Sequence, residues 1–110
     1  MFGLFKSKPK AYQNVNVEEF KSLKKQSKTV VLDVRTPQEK TEGTVPGAQQ
    51  INFFNPNFKT QIAKLDKSKT YLVYCRSGNR SKKACAAMGS MGFEKIYNLS
   101  GGIMAWNRDN

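Results

Sequence analysis

The sequence predicts an α/β fold, with a central parallel sheet of about five strands and helices on both faces. Three observations carry this expectation. Short apolar or β-branched runs recur along the chain, and stretches of helix-forming composition separate them. Repeated β–α alternation brings each strand back in the same direction, so the crossovers cover both faces of one sheet. Helix-capping residues and glycines mark the junctions, and no internal repeat or linker interrupts them. A chain of 110 residues is one domain, large enough for a single core without staples.

Taken in order, residues 1–10 read as a basic, flexible N-terminal tail carrying Lys6, Lys8, Pro9 and Lys10, and residues 11–110 as the folded domain. Tyr12-Gln13 opens it as a short edge strand. Asn16 caps the first helix, with Glu19 completing a capping box and Val15 and Phe20 forming a hydrophobic staple. Val17, Phe20 and Leu23 share the buried face of that helix. Thr29 to Val34 is a β-branched run, read as a central strand. Thr36-Pro37-Gln38-Glu39 is a second capping box with proline at the first helical position, and Gly43 ends that short helix. Ile51-Asn52-Phe53 reads as a strand, and Phe58, Ile62 and Leu65 lie on one face of the helix after it. Tyr71 to Tyr74 is a buried strand, Ser81 to Met91 a helix stopped by Gly92, and Lys95 to Leu99 the last strand. A short helix ends near Trp106, which reads as a core anchor.

The loop between the Tyr71 strand and the Ser81 helix carries the chemistry. Cys75 closes the strand, and Arg76-Ser77-Gly78-Asn79-Arg80-Ser81 follows. A cysteine there faces the unpaired N–H groups and the positive dipole end of the next helix. Both stabilise a thiolate, which is the nucleophilic form. Arg76 and Arg80 add two fixed positive charges, and Gly78 lets the loop bend tightly around a small anion. The expected site is therefore an anion-binding cradle with a nucleophile at its floor. Cys85, by contrast, shares a helix face with Ala84, Met88 and Met91 and reads as a small buried hydrophobe. Asp33, Arg35 and Glu39 read as residues that hold loops at the sheet edge beside the site.

What the chain lacks narrows the chemistry. It has no histidine, so neither a Cys–His pair nor an imidazole base exists. Two cysteines without histidine do not make a structural zinc site, and no cofactor is called for. No segment approaches the about 20 apolar residues that span a bilayer. Met1 to Phe5 is too short for a signal-peptide core, and its lysines follow rather than precede it. These features lead us to expect a cytoplasmic protein. The net charge is +11, but the positive residues are mostly lysines spread from Lys6 to Lys95. No aromatic-interleaved basic stretch marks a nucleic-acid site, so the charge reads as a solvated surface that can steer anions.

Three stretches together resemble the single-domain rhodaneses, a family of sulfurtransferase modules. Leu32 to Glu39, with Gly43, Pro46-Gly47-Ala48 and Ile51-Asn52, is similar to the family's first signature. Cys75 to Ser81 is similar to its active-site loop, and Leu99-Ser100-Gly101-Gly102-Ile103-Met104-Ala105-Trp106 to its C-terminal signature. The resemblance runs in order from about Tyr12 to Trp106. Lys40 stands where the family often has an aromatic, and Thr44 where it often has histidine; both positions read as structural.

The resemblance implies a three-layer rhodanese-like fold and a sulfur-transfer activity. Cys75 would take a sulfane sulfur from thiosulfate or a related small anionic donor and pass it to a thiol or cyanide, with an acceptor protein as a further partner class. Arg76, Ser77, Gly78, Asn79, Arg80 and Ser81 would bind the donor. Two other readings share the thiolate-in-a-cradle design. A cysteine phosphatase or arsenate reductase spaces its residues C-x5-R, whereas here the sixth residue after Cys75 is Ser81 and the arginine comes one earlier. A non-enzymatic persulfide carrier or regulatory module would use the same site.

Overall fold

The computed structural model describes residues 11–109. The first ten residues, read above as a basic tail, lie outside the described residues. Five strands form one all-parallel sheet: β1 (Gln13–Val15), β2 (Thr29–Asp33), β3 (Gln49–Gln50), β4 (Thr70–Tyr74) and β5 (Lys95–Leu99). Their spatial order is β1-β5-β4-β2-β3, so β4 lies in the middle of the sheet. The helices are α1 (Val17–Lys24), α2 (Phe58–Ala63), α3 (Asn79–Ser90) and α4 (Gly102–Asp109), and a 3₁₀ helix covers Pro37–Glu42. The α/β class and the sheet of five parallel strands follow the sequence expectation. Among the described residues, no helix is long and apolar enough to cross a membrane.

Period-two alternation splits the core into two layers. Leu32, Val34, Tyr71, Val73 and Cys75 point to one face and pack with Phe58 and Ile62 of α2 and Ala84, Cys85 and Met88 of α3. Val31, Leu72, Tyr74 and Leu99 point to the other, against Val17 and Phe20 of α1 and Ile103, Ala105 and Trp106 of α4. Phe20 meets Trp106 edge to face at 6.0 Å, so the tryptophan is the core anchor expected. The parity of β4 therefore decides the site. It aims Cys75 toward α3 and its neighbour Tyr74 toward the opposite layer.

Local signals account for most boundaries. The Asn16–Glu19 capping box is closed in both directions, at 2.8 and 3.1 Å, and satisfies two otherwise unpaired N–H groups. Several expected boundaries move: β1 runs Gln13–Val15 rather than Tyr12-Gln13, and α4 continues past Trp106 to Asp109. The strand read at Ile51 to Phe53 is registered at Gln49–Gln50. This is the sheet edge, where one side of the strand stays unpaired and polar side chains suit it. The Ile51 and Phe53 N–H groups still bond to the carbonyls of Asp33 and Val34, at 2.9 and 3.0 Å, while the chain turns under α2. The helix read from Ser81 begins at Asn79 instead, because Gly78, at φ 109°, is its cap and brings Asn79 and Arg80 into the first turn.

Candidate active site

The site sits at the carboxyl end of β4, between β2 and β5, where open α/β sheets bind ligands. Cys75 is buried at the bottom of a cup formed by residues 76–81. Its Sγ accepts from the Gly78 N–H at 3.1 Å, the Ser81 N–H at 3.4 Å and the Ser81 hydroxyl at 3.3 Å. Burial pushes the thiol up, but the Ser81 hydroxyl and the N–H groups of Ser81, Gly78 and Ser77 outweigh it and hold the thiol below its ordinary value. Hydrogen-bond donors converging on one sulfur favour its anion, as at any helix N-terminus. Cys85, one layer deeper in α3, is driven the other way by burial. Both are free thiols, and their surroundings shift them in opposite directions, Cys75 down and Cys85 up.

The expected loop residues divide by position. Gly78 and Ser81 are buried and touch the sulfur, whereas Arg76, Ser77 and Asn79 face solvent at the rim. The Arg76 guanidinium forms no ion pair among the described residues. Arg80, expected to add a fixed positive charge to the cradle, has an acidic partner. Its guanidinium grips both oxygens of Glu39, at 2.7 and 2.8 Å.

Asp33 and Arg35 form the frame behind the loop. Their side chains are 1% and 0% exposed and share a forked ion pair, closed at 2.8 Å. Arg35 also donates to the carbonyls of Glu39 (3.1 Å) and Gly43 (2.8 Å), which ties the 3₁₀ helix to the sheet. Tyr74 donates its hydroxyl to Asp33 at 2.9 Å and accepts from the Val45 N–H at 3.1 Å. Burial pushes its phenol up to about 12, so it stays a donor at neutral pH. Removing one partner of such a buried pair costs about 3–5 kcal/mol, because the other charge is left uncompensated. Asp33 and Arg35 pair directly with each other, and through Arg35 they hold the loop at the sheet edge.

One contributor escaped the sequence reading. The first turn of α4 donates to the strand end itself: Ile103 N–H to the Cys75 carbonyl at 2.9 Å and Met104 N–H to the Arg76 carbonyl at 3.2 Å. Gly102, at φ 59°, packs directly on those two peptide groups, and only glycine leaves room there. The Gly-Gly pair in the C-terminal signature was the available signal.

The fold that carries this strand end, the cupped cysteine and the clamping helix is similar to that of known proteins. A family model described as "Rhodanese-like domain" matches residues 16–109. A sulfurtransferase of Allochromatium vinosum is 37% identical over 79 residues, covering 72% of each chain. The crystal structure of a rhodanese-related protein from Thermoplasma volcanium superimposes with a TM-score of 0.77 at 29% identity, covering 90% of this chain and 94% of that one. A Rhodopseudomonas palustris protein described as a possible tyrosine phosphatase shares the fold at 24% identity and a TM-score of 0.74, covering 90% and 82%. With the family model spanning β2 to β5, the Cys75 cup and the α4 clamp alike, this chain belongs to the rhodanese-like domain family.

Proposed function

We propose that the chain is a sulfurtransferase that works through a persulfide on Cys75. The observation that carries this reading is the convergence of the Gly78 and Ser81 donors on Sγ, which favours a thiolate without any base. The thiolate attacks the outer sulfur of a sulfane donor such as thiosulfate. A bond forms between Sγ and that sulfur, the S–S bond of the donor breaks, and its electron pair leaves with sulfite. The loop N–H groups that hold the charge on Sγ would stabilise the negative charge of the persulfide, as an oxyanion hole does for oxygen. A thiol or cyanide then removes the sulfur and restores Cys75. The exposed Arg76 meets the sulfonate end at the mouth. Two free cysteines suit a reducing compartment such as the cytoplasm.

The phosphatase reading has less support. Position 81 would have to be the phosphate-binding arginine, and it is a buried serine bonded to Sγ. Intact mass after incubation with thiosulfate tests the proposal. The parent and Cys85→Ser should gain one sulfur atom that cyanide removes, and Cys75→Ser should gain none. Phosphate-ester turnover by the parent without that mass gain would overturn the reading. Repeated turnover with a thiol acceptor separates an enzyme from a carrier that is loaded once.

A further inference from the structure

Arg80 has the position of a donor-binding cation but not its freedom. It lies in the first turn of α3, one residue before the serine that donates twice to Cys75 Sγ, and close enough to Cys75 to feel its charge. A positive side chain at a helix N-terminus is opposed by the helix dipole. The fold answers with a carboxylate. Glu39 takes the guanidinium with both oxygens, and its Oε1 also accepts from the Thr36 N–H at 3.1 Å and the Thr36 hydroxyl at 3.0 Å. The main chain of Glu39 is held in turn by Arg35. On the outer side, the exposed ring of Phe54 lies over the guanidinium at 5.5 Å. Arg80 and Glu39 are about four-fifths buried, so the pair is fixed in place and only partly screened.

We infer that Glu39 is a specificity-determining residue for donor charge: by neutralising Arg80 it leaves Arg76 as the loop's free cation and fits the mouth to singly charged sulfane donors over doubly charged thiosulfate. The inference rests on the sulfurtransferase reading and sharpens its substrate class. A thiosulfonate anion, RSO2S⁻, is the simplest such donor. The Cys75 thiolate attacks its outer sulfur, the S–S bond breaks, and a sulfinate, RSO2⁻, leaves with the electron pair. The same persulfide forms as with thiosulfate, so the two donors differ in charge and leaving group but not in product on the protein.

The test compares kcat/KM for thiosulfate and methanethiosulfonate in the parent, Glu39→Gln, Arg80→Ala and the double variant. Glutamine keeps an acceptor for Thr36, which preserves the turn. In Glu39→Gln the thiosulfate-to-methanethiosulfonate ratio should rise about threefold to tenfold, the value of one partly screened charge-assisted contact. In Arg80→Ala the uncovered carboxylate should lower it by a similar factor. The double variant, again neutral, should return to within about twofold of the parent by the same reasoning. Equal losses with both donors that persist in the double variant would mean that the pair only shapes the loop, and would overturn the inference. Protection of Cys75 from iodoacetamide by sulfate and by methanesulfonate reads the same charge preference without sulfur transfer. If neither donor loads Cys75, the sulfurtransferase reading fails; the order of protection by these two anions across the four proteins still decides whether Glu39 sets the charge preference.

Discussion

Replacing Gly102 by alanine isolates what α4 does for Cys75. A β-carbon at this position would come within 2.5 Å of the Cys75 carbonyl oxygen and still nearer the Arg76 carbonyl. Both are backbone atoms in a packed interior, so no side chain can swing aside. The residue also sits at φ 59°, in the left-handed region. That conformation costs an L-residue about 1–2 kcal/mol. Forcing packed backbone apart adds about 1–3 kcal/mol, for about 2–5 kcal/mol in all. Urea unfolding would read this as a lower midpoint with little change in slope. The displaced strand end also carries Sγ away from the Gly78 and Ser81 donors. A misplacement of about 1 Å at a reacting atom costs about 100-fold in rate, so persulfide formation under conditions where the variant is folded should fall that far. The pH profile of iodoacetamide alkylation should move up, toward an ordinary thiol. Parent-like stability together with a parent-like alkylation profile would refute the claim that the α4 terminus sets the site.

Two further outcomes follow from the cup and its frame. Ser81→Ala removes one donor from the sulfur and keeps the backbone N–H, so the Cys75 titration should shift up and alkylation at neutral pH slow about tenfold, the worth of one hydrogen bond to a charged group; an unchanged profile would mean that the hydroxyl is a bystander. Glu39 is held down from 4.5 to about 2, chiefly by its hydrogen bonds from Arg80. Because its folded value lies below the unfolded one, its contribution is complete above about 4.5 and is lost as pH falls through about 2, so Glu39→Gln should flatten the stability curve across that acid window and leave its slope near neutrality unchanged.

The parts of this molecule that sequence-local physics controls were legible beforehand. The Asn16 capping box, the β-branched Thr29 run and the apolar Tyr71 run each declare an element within a few residues, and Cys75 at the end of one of them marks the candidate site. What stayed hidden depends on distant pairings. Arg80 and Glu39 are 41 residues apart, and nothing in either local window names the other. A hint existed, since an arginine in the first turn of a helix works against the dipole and calls for an acid. It required knowing that α3 begins at Asn79, and the left-handed Gly78 cap moved that boundary. The β3 strand was misplaced for a related reason. Hydrophobicity marks where the chain is buried, at Ile51, whereas backbone pairing at an edge is carried by two glutamines.

The dependence of the Cys75 loop on α4 also has a meaning in time. During synthesis, Cys75 leaves the ribosome well before Gly102, Ile103 and Met104 do. Until those residues arrive, the carbonyls they engage are unclaimed, and the strand end has no fixed partner on that side. The Gly78 and Ser81 donors that converge on Sγ precede α4 in the chain, so the residues of the cup are complete before the clamp that fixes the strand end beneath it. The clamp closes only when the chain is long enough to reach back over that strand end.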